Sequence, residues 1–364
     1  MVEKGTKILS NVVASSVELH QKTGGIVPEV AAREQVRCII PVIKEAIRET
    51  PFRRNLAKRA DARRKTYHLS PISYHDIDAI AVTVGPGLIG SLLVGVETAK
   101  TLAYVWKKPI VPVNHLQAHL YANWLAIGRE GKRVKRREAP RFPAIGLVVS
   151  GGHTELVLMK NHGKLRWLGG TRDDAAGECF DKTARLLGFG YPGGPAIEKA
   201  ARKGNPKAFD LPRPMIKQEN FDFSFAGLKT AVVNKVKGRE GEKVKKNIAD
   251  MAASIQQAIV DVLVEKTIRA AEKHKVKSVL VAGGVAANEL LHSQLQSSIP
   301  KESREASIIS HQSSIKLFVP PPKFCTDNAT YIAGCAYFNY QPIPWQKIAV
   351  NPGLGIAEVS ADKI

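Results

Sequence analysis

Short apolar runs rich in β-branched residues alternate with longer helical patterns, and this alternation is what most limits the possible fold. The strand-like runs occupy residues 77–84, 108–115, 144–160 and 277–284. The longest helix-like stretches between them are GSLLVGVETAKTLAYVWKK and IADMAASIQQAIVDVLVEKTIRAAEKHK. The pattern predicts an α/β protein. Because 364 residues exceed one typical core, about two domains are expected, with the second beginning near Ala144 after a basic, proline-bounded linker at 129–143.

The charge balance indicates a polyanionic partner. Lys and Arg number 54 against 33 Asp and Glu, a formal net charge of +21. The basic residues concentrate at 52–65, 131–141 and 235–246. Each cluster alone is as consistent with a solvated surface, but three together favour RNA or DNA.

The chain carries no signal for a membrane or for secretion. It has no run of about 18 apolar residues, and its first residues, MVEKGTKILSN, lack a charged-then-apolar leader. The four cysteines show no C-x-x-C spacing, so neither a zinc ribbon nor a disulfide scaffold is indicated. A soluble, cytoplasmic protein with reduced thiols and no membrane contact is expected.

The stretch VNHLQAHLYANWLAIG places His115 and His119 four residues apart, on one face of a helix. Asn114 can cap that helix and Gly128 can end it. Two interpretations stay open from these residues alone: a metal-ligand pair, or a partly buried pair that hydrogen-bonds backbone carbonyls. A metalloprotease motif is disfavoured, because Leu116 stands where H-E-x-x-H requires glutamate.

Two nucleotide-binding motifs are excluded. Gly85, Gly87 and Gly90 satisfy G-x-G-x-x-G, but the following strand region, WKKPIVPVNH, has no acidic residue to bind a ribose. The sequence therefore does not indicate a nicotinamide enzyme. No G-x-x-x-x-G-K-[ST] loop occurs, so a P-loop nucleotidase is excluded as well.

Other glycine-rich turns favour anion binding. In VVSGGHTELVLM, the amides of Gly151 and Gly152 lie at the tip of a predicted hairpin, where His153 and Thr154 can add donors. The alternative is an ordinary hairpin turn. Two further turns, AGGVAANELL and GYPGGPAIE, lie where strands or bends lead into helices; they carry Gly283, Gly284, Asn288, Gly194 and Glu198.

Nine segments, in order from about Ile8 to about Gly355, resemble the TsaD family of tRNA threonylcarbamoyladenosine transferases, formerly described as glycoproteases. They are GGIVPEVAAREQ, VGPGLIGSL, NHLQAH, VSGGHTEL, DDAAGECFDKTARLLG, YPGGPAIE, FSFAGLKTA, AGGVAANE and CTDNATYIA.

The resemblance implies an actin-like ATPase fold, shared with sugar kinases and heat-shock chaperones, in which two α/β domains surround a nucleotide cleft. Residues 1–143 would form the first domain, with basic insertions at 51–76 and 129–141. Residues 144–330 would form the second, and 331–364 a helix and tail returning to the first.

The resemblance also implies a metal site and a substrate site. His115, His119 and Asp327 would hold one divalent metal, Fe²⁺ or Zn²⁺, with Asp327 placed where a helix is expected to begin. The implied substrate-binding residues are Val149, Ser150, Gly151, Gly152, His153, Asp181, Gly194, Glu198 and Asn288. Position 198 is usually Asp in the family, and Glu adds a methylene to a contact expected at a ribose hydroxyl.

The implied reaction transfers a threonylcarbamoyl group from threonylcarbamoyl-adenylate to the exocyclic amine of adenosine-37 in tRNAs reading ANN codons, releasing AMP. Bacterial members work with a paralogous non-catalytic subunit, TsaB-like, and a small P-loop ATPase, TsaE-like. The rival hypothesis from another class is a catalytically impaired scaffold or RNA-binding member.

The resemblance fails at one place. Family members begin with a strand and turn resembling IETSCDDTA, and this chain has no such segment. The expectation is a misplaced start or a truncated form that lacks its first phosphate loop, with slow transfer as the consequence.

Overall fold

The computed structural model describes residues 1–53, 69–126, 138–299 and 314–358. The strands are β1 (Val2–Glu3), β2 (Lys7–Ile8), β3 (Pro51–Arg53), β4 (Leu69–Pro71), β5 (Ile80–Gly85), β6 (Ile110–Asn114), β7 (Ala144–Val149), β8 (Thr154–Asn161), β9 (Lys164–Gly170), β10 (Ser278–Ala282) and β11 (Lys316–Phe318). The helices are α1 (Val17–Thr23), α2 (Pro28–Arg48), α3 (Ile89–Trp106), α4 (His115–Tyr121), α5 (Ala176–Leu186), α6 (Gly193–Ala201), α7 (Ala226–Lys237), α8 (Gly241–Lys246), α9 (Ile248–Lys273), α10 (Glu289–Ser298) and α11 (Ala329–Phe338). The predicted α/β class is confirmed.

The chain divides into two compact units. Unit 1 comprises 1–16, 27–137 and 328–364, and unit 2 comprises 17–26 and 138–327. Each unit is therefore built from segments distant in sequence. The domain boundaries expected from the sequence, after residues 143 and 330, stay a prediction.

Unit 2 is organised around a five-stranded sheet in the order β11-β10-β7-β8-β9. Strands β7, β8 and β9 form an antiparallel meander, and β10 and β11 join β7 in parallel. Strands β7 and β10 are buried at every position, which explains their unbroken apolar composition. Helix α9 is buried along most of its length and belongs to the same core as β7 and β10.

Unit 1 is built on the parallel pair β5 and β6. Val82, Val84 and Ile110 from these strands share a small core with Val96 of α3 and Leu354 of the C-terminal tail. The tail is attached through the Asn351 N–H, which donates to the Val84 carbonyl at 2.7 Å. Strands β1 and β2 pair as a short antiparallel hairpin.

Three helix boundaries differ from those expected. Helix α4 ends at Tyr121 and continues as a 3₁₀ turn to Trp124, whereas Gly128, the expected end, lies outside the described residues. Asn288 was expected within a helix but is the residue that caps α10. Asn328, not Asp327, is the cap from which α11 begins. Asparagine side chains satisfy free N–H groups at helix starts, which explains both shifts.

The charged clusters are described only in part. The cluster at 235–246 is partly self-paired, since two of its six basic residues, Lys235 and Lys245, pair with Glu240 and Glu242, both at 2.8 Å. Most of 52–65 and of 131–141 lies outside the described residues. The cluster at 235–246 therefore contributes less to the attraction for polyanions than its lysine content suggests.

The cysteines are free thiols, as expected. Burial raises the pKa of Cys179 and of Cys335 to about 12 and that of Cys325 to about 11. Across the described part of the chain, no helix combines the length and apolar composition needed to cross a bilayer.

Candidate metal centre and anion-binding loop

Helix α4 begins directly after strand β6, and its start is held by side chains that tie it to the C-terminal tail. The Asn114 Oδ1 accepts hydrogen bonds from the N–H groups of Leu116 and Gln117 at 3.0 and 3.2 Å. Its Nδ2 donates to the Gly355 carbonyl at 2.9 Å, and Gln117 Nε2 donates to the Ile356 carbonyl at the same distance. These bonds fix the first turn, which carries His115.

The two histidines and Asp327 form one group of potential metal ligands. One ligand atom from each lies within 4.8 Å of the other two. The rings of His115 and His119 have centroids 4.6 Å apart, as the i, i+4 spacing requires. His119 is 2% exposed, His115 is half-buried and Asp327 is exposed. The group therefore runs from a buried ligand outward to an accessible one.

Asp327 owes its position to its neighbour in the chain. Asn328 caps α11 by accepting a hydrogen bond from the Thr330 N–H at 3.2 Å. One turn further, the Tyr331 ring lies 4.7 Å from the His119 ring, with its hydroxyl 3.5 Å from His119 Nε2. Because α11 packs against α4, the cap that starts α11 also delivers Asp327 to the histidines.

The donor set fits a transition metal. Two imidazoles and one carboxylate suit Fe²⁺ or Zn²⁺ and leave coordination positions open for a substrate. Leu116, one residue from His115, is buried and apolar. The water-activating glutamate of an H-E-x-x-H protease is thus absent from this helix.

The glycine turn lies at the tip of the β7–β8 hairpin, as predicted. Ser150 N–H donates to the His153 carbonyl at 2.8 Å, and His153 N–H donates to the Ser150 Oγ at 3.2 Å. Gly151 and Gly152 are exposed, and a Cβ added to either would meet nothing within 4 Å. Their amides are therefore open to a ligand.

Helix α5 begins against this turn. Gly177 N–H donates to the Ser150 carbonyl at 3.2 Å, and a Cβ at Gly177 would lie 2.5 Å from that oxygen. Thr154, expected as an anion donor, is instead fully buried and accepts from the Ala176 N–H at 2.9 Å. Its hydroxyl thus fixes the start of α5 beside the turn, where the positive end of the helix favours an anion.

Asp181 connects α5 to α6. Its Oδ1 accepts from the Gly193 N–H at 2.6 Å. Burial raises the pKa of the Asp181 carboxyl, although the amides of Gly193 and Gly194 oppose that rise. Gly194 is half-buried, and a Cβ there would meet nothing within 4 Å. Asp181 therefore holds the start of α6, and the space beside the Gly194 Cα stays open.

The remaining predicted residues connect α6 back to the strands. Glu198 accepts from the Glu289 N–H at 2.8 Å, at the start of α10. Asn288 is 6% exposed and caps α10 through the Leu291 N–H at 3.0 Å. Gly283, with φ of +94°, lies so close to Val149 that a Cβ would be 2.4 Å from its carbonyl oxygen.

These contacts form a closed circuit within unit 2. It passes from the Ser150 turn to α5 through Gly177, to α6 through Asp181, to α10 through Glu198, and back to β7 through Gly283. The nine predicted substrate-binding residues all lie on it. Sequence reasoning assigned no role to Gly177 or Tyr331, although the small-residue run AAG at the start of α5 signals the close approach at Gly177.

The fold and the histidine–aspartate group define an α/β protein with a potential metal-binding triad of two imidazoles and one carboxylate, together with a glycine turn at a helix start. The profile of the TsaD family, described as tRNA N6-adenosine threonylcarbamoyltransferase, matches residues 7–334. The chain belongs to this family of transferases.

Two relatives illustrate the similarity, both described as tRNA N6-adenosine threonylcarbamoyltransferase. The protein of Thermomicrobium roseum is 46% identical over 357 residues, covering 93% of this chain and 87% of the relative. That of Dehalococcoides mccartyi is 48% identical over 340 residues, covering 93% and 89%. Among solved structures, HypF of T. kodakarensis aligns with 71% of this chain and 40% of its own, at 15% identity and a TM-score of 0.48.

Proposed function

We propose that this chain transfers the threonylcarbamoyl group of threonylcarbamoyl-adenylate to the exocyclic amine of adenosine-37 in tRNAs reading ANN codons. Membership of the TsaD family carries this proposal. It is further supported by the open glycine turn, which suits the phosphate of an adenylate, and by the ligand group on α4. The two α/β units would correspond to the two domains of the actin-like ATPase fold.

His115, His119 and Asp327 would hold one divalent metal, with Fe²⁺ favoured over Zn²⁺. Bound there, the metal would supply Lewis-acid polarisation of the carbonyl under attack. Buried His119 and its neighbour Tyr331 keep the ligand set in place, while exposed Asp327 leaves an approach for the donor.

The chemistry requires no side-chain nucleophile, because the donor is a mixed anhydride. The tRNA amine attacks the carbamoyl carbon, a C–N bond forms, the C–O bond to the phosphate breaks, and the amine loses a proton. The amides of Gly151 and Gly152 and the start of α5 would hold the phosphate as AMP departs. Glu198 and Asn288 would contact the nucleoside end of AMP.

Reconstitution tests this function directly. The full chain, threonylcarbamoyl-adenylate, an unmodified tRNA transcript and the partner proteins are combined, and the digested tRNA is analysed by mass spectrometry. Threonylcarbamoyladenosine at position 37, with equimolar AMP, is the expected product. Stoichiometric tRNA binding without any modified nucleoside would instead favour the scaffold hypothesis.

We expect tRNA binding to depend steeply on salt. Each phosphate contact made by Lys or Arg should lower log K by about 0.7 to 0.9 per unit of log salt concentration. Replacing Arg133, Lys135, Arg136 and Arg137 with Glu should reduce that slope by about 3 while leaving adenylate affinity intact. Filter binding of labelled tRNA across a salt series measures the slope.

An equal change of charge elsewhere provides the control. Replacing Lys237, Arg239, Lys245 and Lys246 with Glu alters the net charge by the same amount, in the cluster at 235–246, whose own two glutamates already offset part of its positive charge. This control should retain most of the wild-type slope. Equal losses in both variants would mean that only the overall field matters, and a flat salt response in the wild type would exclude the electrostatic interface.

The partner proteins are proposed to be a TsaB-like paralogous subunit and a TsaE-like P-loop ATPase, in the cytoplasm. An exposed apolar face on α2 and α3 supports docking of another chain. Val36 and Ile40 of α2 are 60% and 46% exposed, and Ile89 and Leu93 of α3 are 58% and 43% exposed. No residue of α2 is buried, which is unusual for a helix of this length in one subunit.

A further inference from the structure

A basic surface forms at one end of the unit 2 sheet from two segments that are far apart in sequence. The segment KNHGKLR at 160–166 contains the turn between β8 and β9, and KHKVK at 273–277 leads from the end of α9 to β10. Arg166 Nη2 lies 3.5 Å from His274 Nδ1, so the two segments are in contact. Each segment is too short to stand out as a charge cluster in the sequence, and only the fold combines them.

This basic surface carries six exposed cations, and neither segment contains Asp or Glu. The cations are Lys160, Lys164, Arg166, Lys273, Lys275 and Lys277. Within the described part of the chain none of the six forms an ion pair, whereas Lys235 and Lys245 of the cluster at 235–246 do. Glu272 precedes the second segment, but consecutive positions on a helix point about 100° apart. The positive charge of the surface is therefore largely uncompensated by the protein.

The same surface places like charges against a histidine. Burial, followed by the charges of Arg166 and Lys273, lowers the pKa of His274. Lys273 Nζ lies 5.4 Å from the centre of the Phe221 ring, which in turn lies 6.2 Å from the His274 ring. The fold thus keeps positive charges together against their mutual repulsion, and a bound polyanion would relieve that repulsion.

The basic surface lies at the opposite end of the sheet from the glycine turn. Strands β7 and β8 join through that turn at one end, and at the other end Ala144 of β7 pairs with Met159 of β8 and with Ser278 of β10. Strand β8 has eight residues, so at about 3.3 Å per residue the two ends are about 25 Å apart. This separation exceeds the length of a nucleotide, and the surface is therefore not part of the proposed adenylate site.

We propose that this basic surface binds the phosphate backbone of the tRNA beyond its anticodon arm. The inference rests on the proposed function, because that function brings adenosine-37 to the glycine turn. A folded tRNA is a polyanion long enough to reach both ends of the sheet at once, and lysines bind its phosphates without reading bases. Five of the six cations are lysines, a residue type depleted in protein–protein interfaces, which favours a nucleic acid over an acidic protein.

Full-length tRNA and its isolated anticodon stem-loop distinguish this surface from the anticodon site. In filter binding, the wild type should bind the full-length transcript about tenfold or more tightly than the stem-loop, with a steeper dependence on salt. The test variant replaces Lys160, Lys164, Lys275 and Lys277 with glutamine. Its affinity for full-length tRNA should fall to that for the stem-loop, while the stem-loop affinity stays unchanged.

The choice of positions protects the fold. Arg166 and Lys273 are left in place because they contact His274 and Phe221, so the melting temperature of the test variant should match the wild type. The matched control replaces the same number of cations elsewhere in unit 2 with glutamine. The control positions are Lys237, Arg239, Lys245 and Lys246, and this variant should keep the preference for full-length tRNA.

Three results would overturn the proposal. Equal affinity of the wild type for full-length tRNA and for the stem-loop, which needs no variant, would show that nothing beyond the anticodon arm is bound. A test variant that keeps the wild-type preference would assign those contacts to another surface. An equal loss in the matched control would show that only the overall charge matters.

The transfer assay separates this proposal from the proposed function. If the surface binds tRNA, the test variant should raise the KM for tRNA and leave kcat unchanged. Wild-type transfer with an unchanged KM in the test variant would remove the surface from the tRNA interface and leave the function standing. A preference for full-length tRNA that is lost in the test variant, without any transfer by the wild type, would support the surface and refute the function.

Discussion

Replacing His119 with alanine is expected to abolish metal binding and to lower the transfer rate by about 10²- to 10³-fold, equivalent to roughly 3 to 4 kcal/mol. His119 is the most buried member of the ligand group and is held against the Tyr331 ring. Its loss leaves one imidazole and one exposed carboxylate, which cannot retain a divalent ion. Metal content by atomic emission and initial transfer rates measure the two effects.

A histidine outside the ligand group provides the control. His75 is exposed on a short 3₁₀ turn, so His75→Ala should keep both metal and activity. Added Fe²⁺ or Zn²⁺ should raise the melting temperature of the wild type and of His75→Ala, but not of His119→Ala. The same metal content in His119→Ala and in the wild type would exclude this group as the metal site.

The ligand group shows which parts of a site can be read from sequence. The pairing of His115 with His119 follows from helical periodicity, because the capping residue Asn114 and the apolar run identify the helix. Asp327 is more than two hundred residues away in the chain, and no local pattern relates it to the histidines. Only the family resemblance suggested it, and the packing of α11 on α4 brings it close.

The circuit in unit 2 illustrates the same limit. The strand–turn–strand pattern predicted the hairpin that presents Gly151 and Gly152, because turn chemistry is local. The sequence could not reveal that Thr154 is buried beneath α5, since a threonine after a turn is equally suited to solvent. The end of α4 at Tyr121 and the start of α11 after Asn328 differ from the sequence expectation by one to several residues. Tertiary packing decides where a helix stops, and the capping side chain decides where it starts.

The glycine turn is expected to be needed for the ligand and not for the fold. In the double variant Gly151→Ala and Gly152→Ala, each new methyl group meets nothing within 4 Å and neither position has a positive φ. The melting temperature should therefore change little. The methyl groups would instead occupy the space through which a phosphate approaches the two amides.

Loss of one charge-assisted hydrogen bond costs about 1.5–3 kcal/mol, so adenylate affinity should fall by roughly 10- to 100-fold. Titration with a stable adenylate analogue and thermal melting measure the two quantities separately. Gly353→Ala, at an exposed glycine of the C-terminal tail, is the matched control and should change neither.

Gly177→Ala gives the opposite pattern, because its methyl group would lie 2.5 Å from the Ser150 carbonyl oxygen. The turn and the start of α5 must separate to accommodate it, so both the melting temperature and the adenylate affinity should drop. The contrast depends on which side of the turn is modified: the outer face at 151 and 152 is left open for a ligand, and the inner face at 177 is closed by protein. If the double variant bound the analogue as tightly as the wild type, the phosphate would have to lie elsewhere, and the circuit around Ser150 would be a structural feature of unit 2 alone.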